Sequence, residues 1–369
     1  MFIKKLMLIN YRNYKSLDID LGKNVNVFMG DNAQGKTNIL ESIYYCGLAK
    51  SHRTSRDREL INWNEESAYI SLSVGKDRLD KKIDINILKD GKKAIKVNSI
   101  KINKIGELFG VFNVVMFSPE DLKIIKESPG IRRRFIDMEL CQINSKYYHN
   151  LVQYNKILNE RNIVLKNKSM TDDILDIYDE QLVKYGQYIV NERIEYVNRL
   201  NHYGEEIHKD ITLGKEKIEF SYVCSVKDIK DSVSVRENFK DRFTQLLISN
   251  RKRDKEKGIT SVGPHRDDFT VFINNIDTKS FGSQGQQRTA VLTMKFSSLK
   301  IIKEITGEYP VLLLDDVLSE LDYNRKKYIL STINNIQTII TCTGMNDICE
   351  YLDNNSKIFK VQDGYIISS

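Results

Sequence analysis

The sequence predicts an α/β fold: a phosphate-loop NTPase head with mixed sheets, carrying an inserted, mainly helical second lobe. Three stretches predict it. Gly30-Asp31-Asn32-Ala33-Gln34-Gly35-Lys36-Thr37 fits G-x-x-x-x-G-K-[ST] at every fixed position. Pro310 to Asp316 is an apolar run ending in two carboxylates, as in a buried parallel strand that delivers acids to its C-terminal edge. Between them, residues 147–209 are polar but carry apolar side chains at steps of three and four. This divides the chain into an N-terminal head part (1–140), a mainly helical lobe (141–250) and a C-terminal head part (251–369).

Composition bounds the reading. Of 369 residues, 41% are hydrophobic and 29% charged, which suffices for one large domain or two with real cores. With only 4 prolines and 19 glycines, there is no low-complexity linker. The net charge of +7 suits a polyanionic partner, and a solvated lysine-rich surface gives the same figure. Cys46, Cys141, Cys224, Cys342 and Cys349 form no C-x-x-C pair. That pattern points away from zinc and disulfides and suits a reducing cytoplasm. The N-terminal run has lysines among its apolar residues and reads as a first strand, not a signal peptide. No run reaches the ~20 apolar residues of a membrane span.

Residues 2–29 read as strands (FIKKLMLIN, KSLDIDL, VNVFM). In the turn Tyr11-Arg12-Asn13-Tyr14, Arg12 is either an ordinary turn residue or a group near a bound nucleotide. After the third strand, Gly30 and Gly35 let the backbone wrap closely with its N–H groups turned inward. Asp31, Asn32, Ala33 and Gln34 complete the loop. Lys36 supplies a point charge for β- and γ-phosphates, and the Thr37 hydroxyl can ligate Mg²⁺. Asn38 to Leu48 follow as a helix whose positive end adds to the anion site. The basic loop Lys50–Arg58 either contacts phosphates or is solvated. Residues 67–102 alternate apolar and polar, as an antiparallel meander turning at Lys89-Asp90-Gly91. Val111 to Phe117 is a further strand. Ser118-Pro119-Glu120-Asp121 and Ser128-Pro129 both open helices. Arg132, Arg133 and Arg134 are consecutive, so they cannot face one way, and at least one pairs within the fold.

Tyr147, Leu151, Tyr154, Leu158 and Leu165 make one apolar stripe, with Arg161 in one slot. Across a polar turn near Asn167–Asp172 the stripe resumes through Tyr178, Leu182, Tyr185, Ile189, Tyr196, Leu200, Tyr203 and Ile207, interrupted near Glu192 and Arg193. An antiparallel helical hairpin fits, its second helix roughly 50 Å long at 1.5 Å per residue. KIEFSYV then reads as a strand and Val235–Ser249 as a helix. The charge run Arg251–Lys257 reads as a solvated helix end. His265-Arg266-Asp267 invites a kinase catalytic-loop reading, but Phe272 stands where that pattern needs Asn, and no Asp-Phe-Gly follows.

Phe281 to Arg288 precedes a helix over Thr289–Lys303. Ser283, Gly285 and Gln286 thus stand at a helix N-terminus suited to an anion. Asp315 can hold Mg²⁺, and Asp316 can orient or deprotonate an attacking water. Paired acids after a strand also serve as helix caps. Gln337–Cys342 is the next strand, closed by Thr343-Gly344.

In this order, the phosphate loop, Ser118-Pro-Glu-Asp-Leu to Arg132-Arg-Arg-Phe-Ile-Asp137, Gly263-Pro-His-Arg-Asp-Asp268, Ser283-Gln-Gly-Gln286 and Leu314-Asp-Asp-Val-Leu-Ser-Glu-Leu-Asp322 resemble the ABC-type ATPase heads of the SMC class. Within that class they resemble the RecF family of bacterial recombination mediators. The likeness spans essentially the whole chain. It implies ATP with Mg²⁺, an ATP-dependent homodimer, and a Ser283 that meets the γ-phosphate held by Lys36 of the other protomer. It also implies binding to DNA at gaps or single-strand/double-strand junctions, slow ATP hydrolysis, and cooperation with RecR and RecO. It implies no membrane partner. By the same resemblance, the helical insertion corresponds to a shortened SMC coiled coil. The sequence departs from the wider class at Ser118, where a glutamine is usual, with Glu120 nearby. Asp316 replaces a glutamate one methylene longer, and Thr341, Cys342 and Thr343 stand where a histidine is usual. Glu127 replaces a glycine. The first three changes agree with slow turnover. The competing reading is an ABC-type NTPase coupling hydrolysis to a protein partner without DNA.

Overall fold

The computed structural model describes residues 1–77, 79–167, 172–344, 352 and 356–368. Cys349 and the middle of the turn expected near Asn167–Asp172 lie outside these residues. The chain forms two compact units. Unit 1 is residues 1–121, 210–212 and 298–369, and unit 2 is residues 122–209 and 213–297.

In chain order, β1 (Phe2–Tyr11) and β2 (Tyr14–Asp20) form a hairpin, and β3 (Val25–Met29) leads through the glycine loop into α1 (Lys36–Leu48). Then come β4 (Ser67–Gly75), β5 (Lys81–Leu88), β6 (Lys93–Val97), β7 (Ile100–Lys101) and β8 (Val114–Phe117). Next are α2 (Lys123–Lys126), α3 (Pro129–Ile143), α4 (Ser145–Lys166), α5 (Asp172–Thr212) and β9 (Ile218–Val223). They are followed by α6 (Ser232–Ser249), α7 (Arg251–Lys257), β10 (Asp268–Ile273), β11 (Ile276–Asp277), α8 (Thr278–Phe281) and α9 (Gln284–Thr306). The chain closes with β12 (Val311–Asp315), α10 (Tyr323–Thr332), β13 (Thr338–Cys342), β14 (Lys357–Gln362) and β15 (Tyr365–Ser368).

Unit 1 holds two sheets. One is antiparallel, in the order β2-β1-β4-β5-β6-β7, in which β4 to β7 are the expected meander. Its period-two pattern buries Ile83, Ile85 and Ile87 on one face. The other runs β15-β14-β3-β13-β12-β8, parallel except for β15. Its central strands β12 and β13 are buried along their whole length because both faces are covered. Helix α1 touches strands of both sheets, so it is buried on several sides. The Ser118-Pro119 helix opening is a single 3-10 turn over Pro119–Leu122 before the short α2.

Unit 2 is built on the helical hairpin. Asn144, capping α4, donates to Tyr188 and Glu192 on α5, whereas Arg161 near the far end of α4 binds Asp179 near the start of α5. The two helices are therefore antiparallel. At 1.5 Å per residue, the 41 residues of α5 span roughly 60 Å, longer than the stripe alone suggested. Leu182, Ile189, Tyr196, Leu200 and Ile207 are buried as expected.

The two breaks in the stripe are buried arginines. Arg161 donates to Asp179 (2.6 Å), Asp254 (3.0 Å) and the Thr260 hydroxyl (2.9 Å). Arg193 donates to Asp137 (2.9 Å), the Tyr147 oxygen (3.0 Å) and the Pro264 carbonyl (2.7 Å). The run Arg251–Lys257 therefore differs from the solvated end expected for it: α7 turns Asp254 inward to Arg161, and its Arg251 binds Asp179 at 2.7 Å.

These pairings also move the expected boundaries at 140 and 250. Arg132 grips Asp268 with two bonds (2.6 and 2.8 Å), and Arg133 donates to the Asp267 carbonyl. Residues 122–140 and 251–297 thus join the helical unit because their charges are satisfied there.

Candidate functional site

The strand order β3-β13-β12 brings three C-terminal strand ends side by side in unit 1. At this edge lies a cleft of about 360 Å³, lined by loop residues Asn32 to Asn38, Arg53, Asp315, Asp316 and Thr341. The loop's glycines are required by close approach. A Cβ on Gly30 would lie 2.3 Å from the Val361 carbonyl oxygen. Gly35 has φ 111°, and a Cβ there would meet the Asn13 amide at 2.4 Å. The loop is held from outside. Asn13 donates to the Gln34 carbonyl (3.0 Å) and the Tyr14 hydroxyl to the Gly35 carbonyl (3.2 Å). The Gln34 side chain accepts from the Asp363 N–H at 2.6 Å, so it supports the loop.

Lys36, the first residue of α1, is 7% exposed and donates to the carbonyls of Gly30 and Asp31 (2.8 Å to the latter). Both acceptors are neutral, so an arriving phosphate outbids them for the ammonium. The Thr37 hydroxyl donates to Asp315 Oδ1 at 2.9 Å. Thr341 donates to the same oxygen at 2.8 Å, because β12 and β13 pair Asp315 with Thr341. The Thr341 oxygen in turn accepts from the Asp316 N–H at 3.0 Å. Asp316 adopts φ 53°, a left-handed conformation uncommon for a non-glycine residue. Thr341 thus ties both acids together.

Arg12 does not line the cleft. Its guanidinium grips Glu41 with two 2.8 Å bonds and donates to the Glu59 carbonyl at 2.7 Å. Burial alone would raise the Glu41 carboxyl, but bonds from Arg12 and Ser51 and the charges of Arg12 and Arg53 hold it below its ordinary value. Arg12 therefore anchors α1 from outside the loop. The arginine in the cleft is Arg53, from the basic loop, which donates to Asn38 at 2.9 Å. Asn38 passes a 2.7 Å bond on to Asn13. Other parts of that loop are structural. Asp57 pairs with Lys93 at 2.8 Å, and His52, partly buried beside Tyr44, has its pKa lowered by burial. Ser118 and Glu120 do not line the cleft; the Ser118 N–H binds Asp121 at 2.8 Å and closes a local turn.

Ser283, Gly285 and Gln286 belong to unit 2. Helix α9 starts at Gln284, earlier than the Thr289 expected, so Gly285 and Gln286 form its first turn. The cause is a reciprocal cap. Ser283 Oγ accepts from the Gln286 N–H (3.2 Å), and Gln286 Oε1 accepts from the Ser283 N–H (3.0 Å). Gln286 Nε2 donates to Glu216 at 2.9 Å. Among the described residues, no group of three or more His, Cys, Asp or Glu gathers to hold a cation, and no helix is long and apolar enough to cross a membrane.

The RecF/RecN/SMC N-terminal domain family model matches residues 2–367. The chain is 69% identical over 368 residues to a DNA replication and repair protein RecF of Clostridium botulinum (strain Eklund 17B / Type B), covering 100% of both. It is 68% identical to the RecF of Clostridium perfringens (strain SM101 / Type A), covering 99% of both. A solved structure of the recombination mediator protein RecF with ATP, in the RecFOR pathway, superposes with TM-score 0.90 at 38% identity, covering 100% of this chain and 99% of that one. The Smc head of Pyrococcus furiosus shares the fold, with TM-score 0.56 at 18% identity.

Proposed function

Because the chain belongs to the RecF/RecN/SMC N-terminal domain family, and within it to the RecF proteins, we propose that it is an ATP-gated DNA-binding protein of recombinational repair. The observation that carries this reading is the cleft itself: a glycine loop, an exchangeable Lys36 ammonium and an Asp315–Thr341–Asp316 relay meet at one parallel sheet edge. That geometry fits a nucleoside triphosphate, and the solved RecF relative binds ATP. Backbone N–H groups of Gly30 to Lys36 would take the phosphates, with Lys36 on the β and γ groups. Thr37 and Asp315 offer hard oxygens and too few carboxylates for an all-protein cage, which suits Mg²⁺ shared with phosphates. When bound, Mg²⁺ would neutralise charge on the β- and γ-oxygens. Asp316 orients or deprotonates the attacking water. Its short side chain and the threonine beside it favour slow turnover, with DNA stimulation expected.

In this reading two protomers close over two ATP molecules, and Ser283 of each donates to the γ-phosphate bound by the other. Closure doubles the basic surface offered to DNA, given a net charge of +7 per chain. Release follows hydrolysis. The setting is cytoplasmic, the DNA is gapped or carries a single-strand/double-strand junction, and RecR and RecO are the partners in loading recombinase. The test is DNA affinity with and without ATP across a salt series. ATP should raise affinity, and log affinity should fall linearly with log salt as phosphate contacts release counterions. Equal affinity with and without ATP would contradict the gate.

A further inference from the structure

The geometry points to Glu216 as a positioning residue that sets the Ser283 turn for a γ-phosphate held by a second copy of this chain. This rests on the two-protomer reading above. Glu216 stands in the loop between α5 and β9. That loop is pinned by two 2.9 Å bonds between Lys217 and Asn274, one from the Lys217 N–H to the Asn274 side chain and one from the Asn274 N–H to the Lys217 carbonyl. One carboxylate oxygen accepts from Gln286 Nε2 at 2.9 Å, and the other lies 3.5 Å from Nε2 of His208. His208 is fully buried, and its Nδ1 meets the Thr293 hydroxyl at 2.9 Å, so this side of the carboxylate has little room to shift.

The Gln286 amide has one acceptor end and one donor end. Its oxygen holds the Ser283 N–H, and its NH₂ holds Glu216. Turning the amide over would set NH₂ against N–H and carbonyl against carboxylate, two repulsive contacts. Glu216 therefore fixes which way the amide faces, and the amide fixes the turn. With the backbone N–H of Gln286 donating to Ser283 Oγ, the Ser283 hydroxyl keeps its own hydrogen for an incoming phosphate oxygen. Ser283 is exposed, so an ordered hydroxyl there saves the ordering cost at the moment of contact.

The test compares Glu216→Ala with Glu216→Gln, whose carbonyl can still accept from Gln286. A fluorescent ATP analogue measures monomer nucleotide affinity, sedimentation velocity measures ATP-induced dimers, and thermal unfolding measures the scaffold. Losing one charge-assisted bond should weaken the ATP dimer about tenfold in Glu216→Ala, with Glu216→Gln within about threefold of wild type. Monomer affinity for ATP should be unchanged in both. A merely structural role would lower the unfolding midpoint and leave dimerisation of the folded fraction intact, and that result overturns the inference. Ser283→Arg measured alongside separates the layers. If it fails to dimerise while Glu216→Ala dimerises normally, the inference alone falls. If Ser283→Arg itself dimerises like wild type, the two-protomer reading falls.

Discussion

Lys36 in the first unit and Arg161 in the second are both removed from water, at 7% and 0% exposure, yet their partners differ. Lys36 rests on two neutral loop carbonyls beside an open cleft. Arg161 is locked to two carboxylates and a hydroxyl, with Asp254 itself fully buried. A buried charge on neutral partners next to space is ready for a ligand. A buried charge on opposite charges has its ligand already.

That contrast can be broken. Asp316→Asn should keep ATP affinity but lower single-turnover hydrolysis by about 10²–10⁴-fold, the usual share of a general base. A wild-type rate would move the base elsewhere. Arg161→Ala should instead cost about 3–5 kcal/mol in urea unfolding, because it leaves uncompensated carboxylates inside, while folded molecules still bind ATP normally. Lys36→Ala should do the reverse. ATP binding should weaken by at least about 100-fold, and stability without nucleotide should change by under about 1 kcal/mol. If Lys36→Ala destabilised the fold as much as Arg161→Ala, the distinction between ligand-ready and locked charges would be wrong.

A smaller effect sharpens the second unit's side. His265 is neutral in the fold, its pKa lowered from 6.5 to about 4, first by burial and then by the charges of Arg266, Arg133 and Arg193, against its bond to Thr260. Tyr154 donates to its Nδ1 at 2.8 Å, and its Nε2 donates to the Thr260 carbonyl at 3.0 Å. The unfolded chain binds this proton at higher pH than the folded one. Stability from this group is therefore full above its ordinary pKa and is lost as pH falls through the folded value, by about 3 kcal/mol in all. Urea unfolding of wild type and His265→Asn at pH 7 and pH 4.5 should show a flatter acid limb in the variant. Parallel limbs would remove His265 from the pH response.

Much of the cleft was legible because its requirements are local. Gly30, Gly35, Lys36 and Thr37 must be those residues at that spacing, whatever lies elsewhere in the chain. Thr341 was visible only as a candidate. Its role depends on β13 lying between β3 and β12 and on the register that opposes it to Asp315, both set by distant strands. Arg12 and Arg53 could not be ranked for the same reason: Glu41 takes two close bonds from Arg12 and lies 3.8 Å from Arg53, and only Arg53 lines the cleft. In the helical unit the stripe was plain, and its two breaks were visible as arginines. Their partners, Asp254 and Thr260 for Arg161 and Asp137 and Pro264 for Arg193, lie far along the chain. The unit boundaries were missed with them, since those pairings draw residues 122–140 and 251–297 into the second unit.

The central claim is that ATP joins two copies through Lys36 of one and Ser283 of the other, and that this closure creates the DNA-binding form. Ser283→Arg puts a bulky cation where that hydroxyl would meet the partner's nucleotide, and Ser283 is not among the residues lining the phosphate-loop cleft. Sedimentation with ATP and filter binding to gapped DNA on this one variant test the claim directly. The account predicts unchanged monomer affinity for ATP, no ATP-induced dimer, and DNA binding that no longer rises with ATP. A variant that dimerises with ATP and binds DNA like wild type would contradict it.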